Sequence, residues 1–452
     1  MKINTSTSIL IWPFIFPLVF DIKTDENGDH SWQIVLVALA IFSGGCLLAI
    51  APRFRANLQL KKFVSSALYV TLLGSLFTQF AIQNDFANYL RVLLPYVLFF
   101  LAYKVGVSAW HPGRRKLIED TLVNAMYLSL VFTLVAGLLA GGPIDQVRYH
   151  VVSPVFLGLQ GFLLHEIIVA RRVKLMYVAV LVLSIAIELL SVTRSLLIGT
   201  VGLFLFAIWM ASPNVLRFAR SVLRATLIAA IIGAVAGGTA VLASPNLADM
   251  WEQRIFLFQQ DKNGIDPTTL TRVAEAQNQY DQVTSSLSST VIGEGYGHPY
   301  RYAQEYISEL APYLGQARLD AMSVWEGGHN LWVYQLFAGG ILFGLAFPGA
   351  LLYGCYRCAR SYKRSYRSAV ATQFMRNSGR HLIMLVGFIL TTIGGNPMGQ
   401  RFSGLAYGLS MGLMVADHCR GIIASRTDAA LNRESQTTSI HTFNHQELHS
   451  EI

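Results

Sequence analysis

Long apolar segments alternate with short polar segments along most of the chain. A helix needs about 20 apolar residues to cross the hydrocarbon core of a bilayer, and twelve segments approach that length. They cover residues 8–20, 32–50, 63–82, 86–103, 121–140, 149–169, 174–192, 195–211, 223–243, 329–354, 381–395 and 402–416. The pattern predicts an all-α polytopic membrane protein with about 12 transmembrane helices and one large helical loop.

The composition supports lipid as the solvent of this chain. Charged residues make up 13% of the 452 residues, whereas soluble domains contain about 25%. The net charge of +9 would also fit a nucleic-acid partner. However, the Lys and Arg residues lie between the apolar segments, which is typical of membrane topology signals. We therefore expect contact with the lipid bilayer and no nucleic-acid partner.

The distribution of positive charge predicts the orientation. If the N-terminus is cytoplasmic, the inner polar segments contain 25 of the 35 Lys and Arg residues, and the outer segments contain 10. The positive-inside rule favours this arrangement. We expect a multi-pass protein of the bacterial inner membrane with both termini in the cytoplasm.

This topology divides the chain into four parts. Residues 1–243 form the first nine transmembrane helices, 244–328 a periplasmic loop, 329–416 the last three transmembrane helices, and 417–452 a polar cytoplasmic tail. Asp266-Pro267 is a helix-start signal, which predicts a helix from Thr268 to Leu287. A second helix is predicted from Tyr300 to about Met322. Loops of this length are usually functional, and we expect the active site on this side.

Three residues from distant parts of the sequence converge on the outer face in this topology. Arg194 lies in a turn between two apolar segments, Arg272 lies in the first loop helix, and His329 lies where the loop re-enters the membrane. Guanidinium groups bind phosphate oxygens in a bidentate manner, and histidine accepts protons near neutral pH. The set therefore suits sugar transfer from a lipid diphosphate. Taken singly, Arg194 also fits an interfacial anchor, Arg272 fits a solvated helix face, and His329 fits a polar cap.

Other residues are supporting candidates or are set aside. Glu188 is an ionisable group inside an apolar segment, where such groups are often functional, although it also fits a pairing with arginine. Asn330 follows His329 directly, and Arg401 adds positive charge at the outer face. The glycine-rich stretch Gly293–Gly297 follows no strand and is interpreted as a tight turn.

Metal and cofactor chemistry is not expected. No His and carboxylate residues have metal-ligand spacing along the chain. The pair Cys355 and Cys358 has neither a second pair nor neighbouring histidines, so we interpret it as chance spacing. The sequence therefore predicts no metal and no cofactor.

Three motifs occur in order along the chain. The first is Thr193-Arg194-Ser195. The second is Arg272, followed about twenty residues later by the stretch 292–297. The third is His329-Asn330, followed by Gly340 and Gly344. Together they resemble the motifs of the O-antigen ligase and O-antigen polymerase superfamily of bacterial membrane glycosyltransferases.

The resemblance implies metal-independent, inverting transfer of a glycan from undecaprenyl diphosphate at the periplasmic face. By analogy, Arg194 and Arg272 would bind the diphosphate, and His329 would act on the acceptor hydroxyl as the catalytic residue. Polymerases use a second lipid-linked repeat as acceptor, whereas ligases use the lipid A core, and a third group uses protein Ser or Thr.

Two departures favour a polymerase for O-antigen or exopolysaccharide over a ligase. Three residues, instead of two, separate Gly340 from Gly344, and the stretch 273–277 contains no aromatic residue. A chain-length regulator is a further partner that a polymerase could have. The alternatives are an O-antigen ligase, a lipid-linked oligosaccharide transporter, and a receptor or structural protein whose outer loop binds a partner. A transporter usually shows internal repeats and ionisable residues near the membrane centre, and neither is clear in this sequence.

Overall fold

A computed structural model describes residues 5–21, 31–54, 58–140, 150–191, 193–224, 226–227, 267–301, 327–367 and 373–449, with isolated positions at 303, 305, 308 and 311. Over these residues the chain forms helices and no strand. The predicted all-α class is therefore confirmed for this part of the chain. Most of the predicted span 223–243, Asp266 at the predicted helix start, and most of the second loop helix lie outside the described residues.

The helices are labelled in chain order. Those before the loop are α1 (Thr5–Ile15), α2 (Ser31–Ile50), α3 (Gln59–Ile82), α4 (Phe86–Gly106), α5 (Pro112–Leu139), α6 (Phe156–Leu164), α7 (Leu175–Ser191) and α8 (Arg194–Ala211). The loop contributes α9 (Pro267–Thr284) and α10 (Leu287–Ile292). The remaining helices are α11 (Leu331–Gly339), α12 (Ala346–Arg367), α13 (Gln373–Thr391) and α14 (Ser403–His449).

Several of these helices can cross a membrane. In the described part of the chain, α2, α3, α4, α5 and α8 are long and apolar enough to do so, and α11 with α12 would add a sixth span. Large apolar side chains on the bundle surface are exposed, with Phe80 at 80% and Leu139 at 81%. Exposed apolar surface on this scale indicates contact with lipid. The chain is therefore a membrane protein, while the count of 12 spans stays a prediction.

The helix α14 forms the centre of the bundle because a row of glycines lets it approach α4 closely. A Cβ atom added at Gly404, Gly408 or Gly412 would lie 2.2–2.4 Å from the carbonyl oxygens of Pro95, Phe99 or Tyr103. Small residues at four-residue spacing are typical of tightly packed transmembrane helices. Packing against both α4 and α13 buries the segment 402–419.

Two predicted segments differ from the structure. The predicted span 329–354 is not one straight helix: a π-helix at Gly340–Gly344 follows α11, and the chain bends by 85° between the segments 331–344 and 346–365. The predicted polar tail 417–452 does not begin as a separate segment, because α14 continues without a break to His449. Hydropathy did not predict either feature, since it reports burial in lipid and not helix continuity.

The glycine-rich stretch Gly293–Gly297 stabilises the break between α11 and α12. The backbone N–H groups of Glu294 and Gly295 donate hydrogen bonds of 2.8 and 3.0 Å to the carbonyls of Phe337 and Ala338. These carbonyls belong to the last turn of α11, where intrahelical donors run out. The predicted tight turn is thus a backbone clamp that holds the loop on the membrane bundle.

Replacing Gly293 by alanine is expected to destabilise the folded protein by about 2 kcal/mol or more. Gly293 has φ 80° and ψ 179°, a region that only glycine adopts readily. An added Cβ would also lie 2.5 Å from the backbone nitrogen of Gly340. Thermal unfolding in detergent measures the effect. Gly349→Ala is the matched control, because an added Cβ there meets nothing within 4 Å, and equal unfolding temperatures for both variants would contradict the clamp.

Candidate functional site

His329 and Glu275 form a bidentate pair where the loop meets the membrane bundle. The backbone N–H of His329 donates to Glu275 Oε1 at 2.6 Å, and His329 Nδ1 lies 2.7 Å from Glu275 Oε2. The Glu275 side chain is 3% exposed, whereas that of His329 is 43% exposed. The carboxylate is therefore buried beneath an imidazole that reaches the surface.

This pairing fixes the tautomer of the imidazole. An ionised carboxylate only accepts hydrogen bonds, so Nδ1 carries the proton that bonds to Glu275. In the neutral ring the lone pair then lies on Nε2. A histidine held in this way has one defined nitrogen that can accept a proton, and the carboxylate stabilises the imidazolium that results.

The Tyr300 hydroxyl also contacts the Glu275 carboxylate. The Tyr300 hydroxyl lies 2.8 Å from Glu275 Oε1 and 2.7 Å from the Gly327 carbonyl, and can donate to either.

The Asn330 side chain accepts from the N–H groups of Trp332 and Val333, which caps the first turn of α11. This predicted supporting residue therefore fixes the helix start directly after His329.

Arg272 lies one helical turn before Glu275 on α9. Residues three apart are neighbours on a helix surface. Glu275 is buried, whereas Arg272 is exposed. Among the described residues, no hydrogen bond or ion pair to Arg272 is seen. The structure thus places exposed Arg272 one helical turn from Glu275 of the His329 pair.

Arg194 begins α8 beside the end of α13, and the His329 turn borders the same end. An added Cβ at Gly394 would lie 2.1 Å from Ser195 Oγ, so the Arg194 turn packs against the residues after α13. Trp332 Nε1 donates to Thr392 Oγ1 at 3.0 Å. The residues at the end of α13 therefore contact both Ser195, next to Arg194, and Trp332, three residues after His329.

Glu188 lies apart from the His329 pair, in a polar cluster between α6, α7 and α8. The Thr200 hydroxyl donates to Glu188 Oε2 at 2.9 Å, and Gln160 Nε2 donates to the same oxygen at 3.3 Å. Glu188 is fully buried, and its Oε1 has no hydrogen-bond partner in the described structure. Hydroxyl and amide donors thus surround it, and no arginine pairing is seen among the described contacts.

Arg401 also lies in a cluster of its own. Its guanidinium donates to Gln33 Oε1, and the next residue, Phe402, donates its backbone N–H to Asp21 at 3.1 Å. Burial lowers the pKa of Arg401, and the Asp21 carboxylate opposes this shift. Burial raises the pKa of Asp21 to about 7. The described contacts of Arg401 and Phe402 therefore link the start of α14 to Gln33 at the start of α2 and to Asp21, and they do not include His329.

Three potential metal ligands lie close together at the end of the bundle opposite to His329. Glu119, His381 and Asp417 each offer one ligand atom, and these atoms lie within 4.8 Å of one another. Sequence spacing could not predict this cluster, because its members lie on α5, α13 and α14. However, Arg115 contacts both carboxylates at 2.5 Å. Its guanidinium already supplies the positive charge that a metal would bring, so we interpret the cluster as a structural ion network.

Glu275 and Tyr300 are the residues that the sequence did not single out. A glutamate on a polar loop helix is usually solvated, and no spacing rule connects residues 275, 300 and 329. The one available signal was the position of Glu275 one turn after Arg272. The pairing becomes visible only when α9 packs against α11.

No family model matches this chain, and a search of curated proteins finds no match. The resemblance to membrane glycosyltransferases therefore rests on the three short motifs. The second and third motifs are in direct contact, because Glu294 and Gly295 donate to the carbonyls of Phe337 and Ala338. The second motif contains the backbone clamp, the third contains His329, and the first lies beside the end of α13.

Proposed function

We propose that this protein polymerises undecaprenyl-diphosphate-linked oligosaccharide repeats, of an O-antigen or an exopolysaccharide, at the periplasmic face of the bacterial inner membrane. The observation that carries the proposal is the bidentate pairing of half-exposed His329 with buried Glu275. A histidine oriented by a carboxylate is suited to general-base catalysis. It lies where the loop meets the apolar bundle, at the depth expected for the head group of a lipid substrate.

The donor diphosphate would bind between the two arginines. Arg272 stands next to the histidine pair on α9, and Arg194 begins α8 across the end of α13. Guanidinium groups stabilise negative charge on phosphate oxygens by charge-assisted hydrogen bonds. As the glycosidic bond to the diphosphate breaks, this charge increases. The two side chains would therefore stabilise the leaving undecaprenyl diphosphate.

The acceptor hydroxyl would lose its proton to His329 Nε2. Its oxygen forms the new bond to the anomeric carbon on the face opposite the diphosphate, which inverts the configuration. The electron pair of the broken bond leaves with the diphosphate, and Glu275 stabilises the imidazolium. Each step uses a side chain of this protein, and no metal takes part in the proposed reaction.

The test is a reconstituted reaction analysed on a gel. We expect purified wild-type protein to convert lipid-diphosphate-linked repeats into a ladder of longer glycans in the presence of EDTA. Arg272→Ala is expected to lower kcat/KM by about 10- to 100-fold, because it removes charge-assisted hydrogen bonds to the diphosphate. Arg301→Ala is the matched control, since Arg301 is an exposed arginine of the same loop.

The other outcomes distinguish the alternatives. Product that forms only when a lipid A core is added would identify a ligase. Loss of the ladder on EDTA treatment would contradict metal-independent transfer. No product with either acceptor, together with an unaltered Arg272→Ala variant, would reject the enzyme and leave a lipid-linked oligosaccharide transporter as the leading function.

A further inference from the structure

A basic cavity lies between the C-terminal ends of α8 and α12, away from the His329 pair. Its volume is about 610 Å³, and it is open to the surface. Side chains from both helices line it: Trp209, Tyr356, Ala359, Arg360, Lys363 and Arg364. The proposed glycosyl transfer uses none of these residues.

The cavity is positively charged, and α12 contributes no acidic residue that would neutralise this charge. The helix α12 contains five Lys and Arg residues in its last three turns and no Asp or Glu. Lys363 is held in place, because its ammonium group donates to the carbonyls of Trp209 and Ser212 and lies 4.5 Å from the centre of the Trp209 ring. Arg360 and Arg364 are exposed at the cavity. The site therefore presents two guanidinium groups on a wall that Lys363 fixes.

The surface changes from basic to apolar along one ridge of α12. Leu352, Tyr356, Arg360 and Arg364 follow each other at four-residue spacing, which places them on one face of the helix. Leu352 is 48% and Tyr356 56% exposed. On α8, Leu205 lies one turn before Trp209, on the same face of that helix, and is also exposed. A ligand that fits this surface carries a phosphate at one end and hydrocarbon at the other.

We infer that this cavity binds the head group of an anionic phospholipid of the cytoplasmic leaflet. The positive-inside rule assigns the basic end of α12 to the cytoplasm, and basic pockets between membrane helices on that side recognise anionic lipid head groups. Arg360 and Arg364 bind the phosphodiester, and Trp209 and Tyr356 lie at the level of the interface, where such rings are enriched. The acyl chains lie along Leu352 and Leu205. This inference does not depend on the proposed function.

The experiment uses the full-length protein in nanodiscs that contain phosphatidylglycerol and phosphatidylcholine, with bound lipids measured by native mass spectrometry. Wild type is expected to retain phosphatidylglycerol in preference to phosphatidylcholine. Each basic residue near anionic lipid contributes about fivefold in affinity. Arg360→Gln and Arg364→Gln should therefore each weaken phosphatidylglycerol retention by about fivefold, and the double variant by about 25-fold. The single variants carry the test if the double variant fails to fold.

Arg301→Gln is the matched control, since Arg301 is an exposed arginine of the large loop, on the side of the bundle predicted to face away from the cytoplasmic leaflet. It is expected to retain phosphatidylglycerol as wild type does. Equal loss in Arg301→Gln, or unchanged retention in the Arg360 and Arg364 variants, would overturn the inference. A second arm offers inorganic phosphate to protein in phosphatidylcholine nanodiscs. Phosphate that stabilises the wild type as strongly as phosphatidylglycerol does, and fails to stabilise the double variant, would identify a site for soluble phosphate and overturn the lipid assignment.

Discussion

Replacement of His329 by alanine is expected to lower kcat for glycan transfer by about 10²- to 10⁴-fold, which is the usual contribution of a general base. The donor KM should change little, because the proposed diphosphate ligands Arg194 and Arg272 remain. The measurement is the initial rate of repeat addition in the reconstituted reaction at saturating donor. This variant removes the only side chain to which the proposal assigns the proton transfer.

Imidazole rescue separates a chemical role of His329 from a structural one. The alanine variant leaves space beside Glu275, and added imidazole should restore part of the rate by accepting the proton. His111→Ala is the matched control, since His111 is an exposed histidine at the start of α5, at the predicted cytoplasmic end. An alanine variant at position 329 that keeps wild-type turnover would reject His329 as the general base.

The helices were largely predictable from the sequence, and their breaks were not. A chain in lipid must satisfy its backbone hydrogen bonds within each segment, so apolar runs predict helices directly. The bend between α11 and α12 escaped prediction because the apolar run continues through Gly340–Gly344. The donors that satisfy the freed carbonyls come from Glu294 and Gly295, far away in the sequence.

Part of the candidate site could be predicted from local sequence features, and part depends on contacts between distant segments. Arg194, Arg272 and His329 could be selected as candidates from the sequence, because Arg194 and His329 stand at polar–apolar boundaries and Arg272 lies near the start of the predicted loop helix. Glu275 was not, because its burial depends on how α9 packs on α11. Glu188 and Arg401 were selected by the same rule of charge near lipid, yet the described contacts join them to other clusters. A charged residue at a polar–apolar boundary can therefore be selected from the sequence. Its contacts, however, depend on how the helices pack.

The Glu275→Gln variant is expected to lower kcat by about 100-fold while the donor KM and the unfolding temperature change little. The amide oxygen can still accept from the His329 backbone N–H and from Tyr300. However, its NH₂ group would face Nδ1 and donate to it, because an amide nitrogen cannot accept a hydrogen bond. The imidazole would then carry its proton on Nε2, the atom that must accept the proton of the acceptor hydroxyl. The side chain keeps its shape, and the ring has the wrong tautomer.

A spectroscopic readout makes this prediction independent of activity. The ¹⁵N chemical shifts of His329 in selectively labelled protein distinguish a proton on Nδ1 from one on Nε2, and Glu275→Gln should exchange the two. Asp281→Asn is the matched control, since it makes the same carboxylate-to-amide change at an exposed position of α9. If Glu275→Gln lost activity with an unaltered tautomer and a large fall in unfolding temperature, Glu275 would be a structural residue of the loop. If the tautomer changed and turnover stayed at the wild-type level, the proton would be accepted elsewhere, and the role of the whole pair would have to be abandoned.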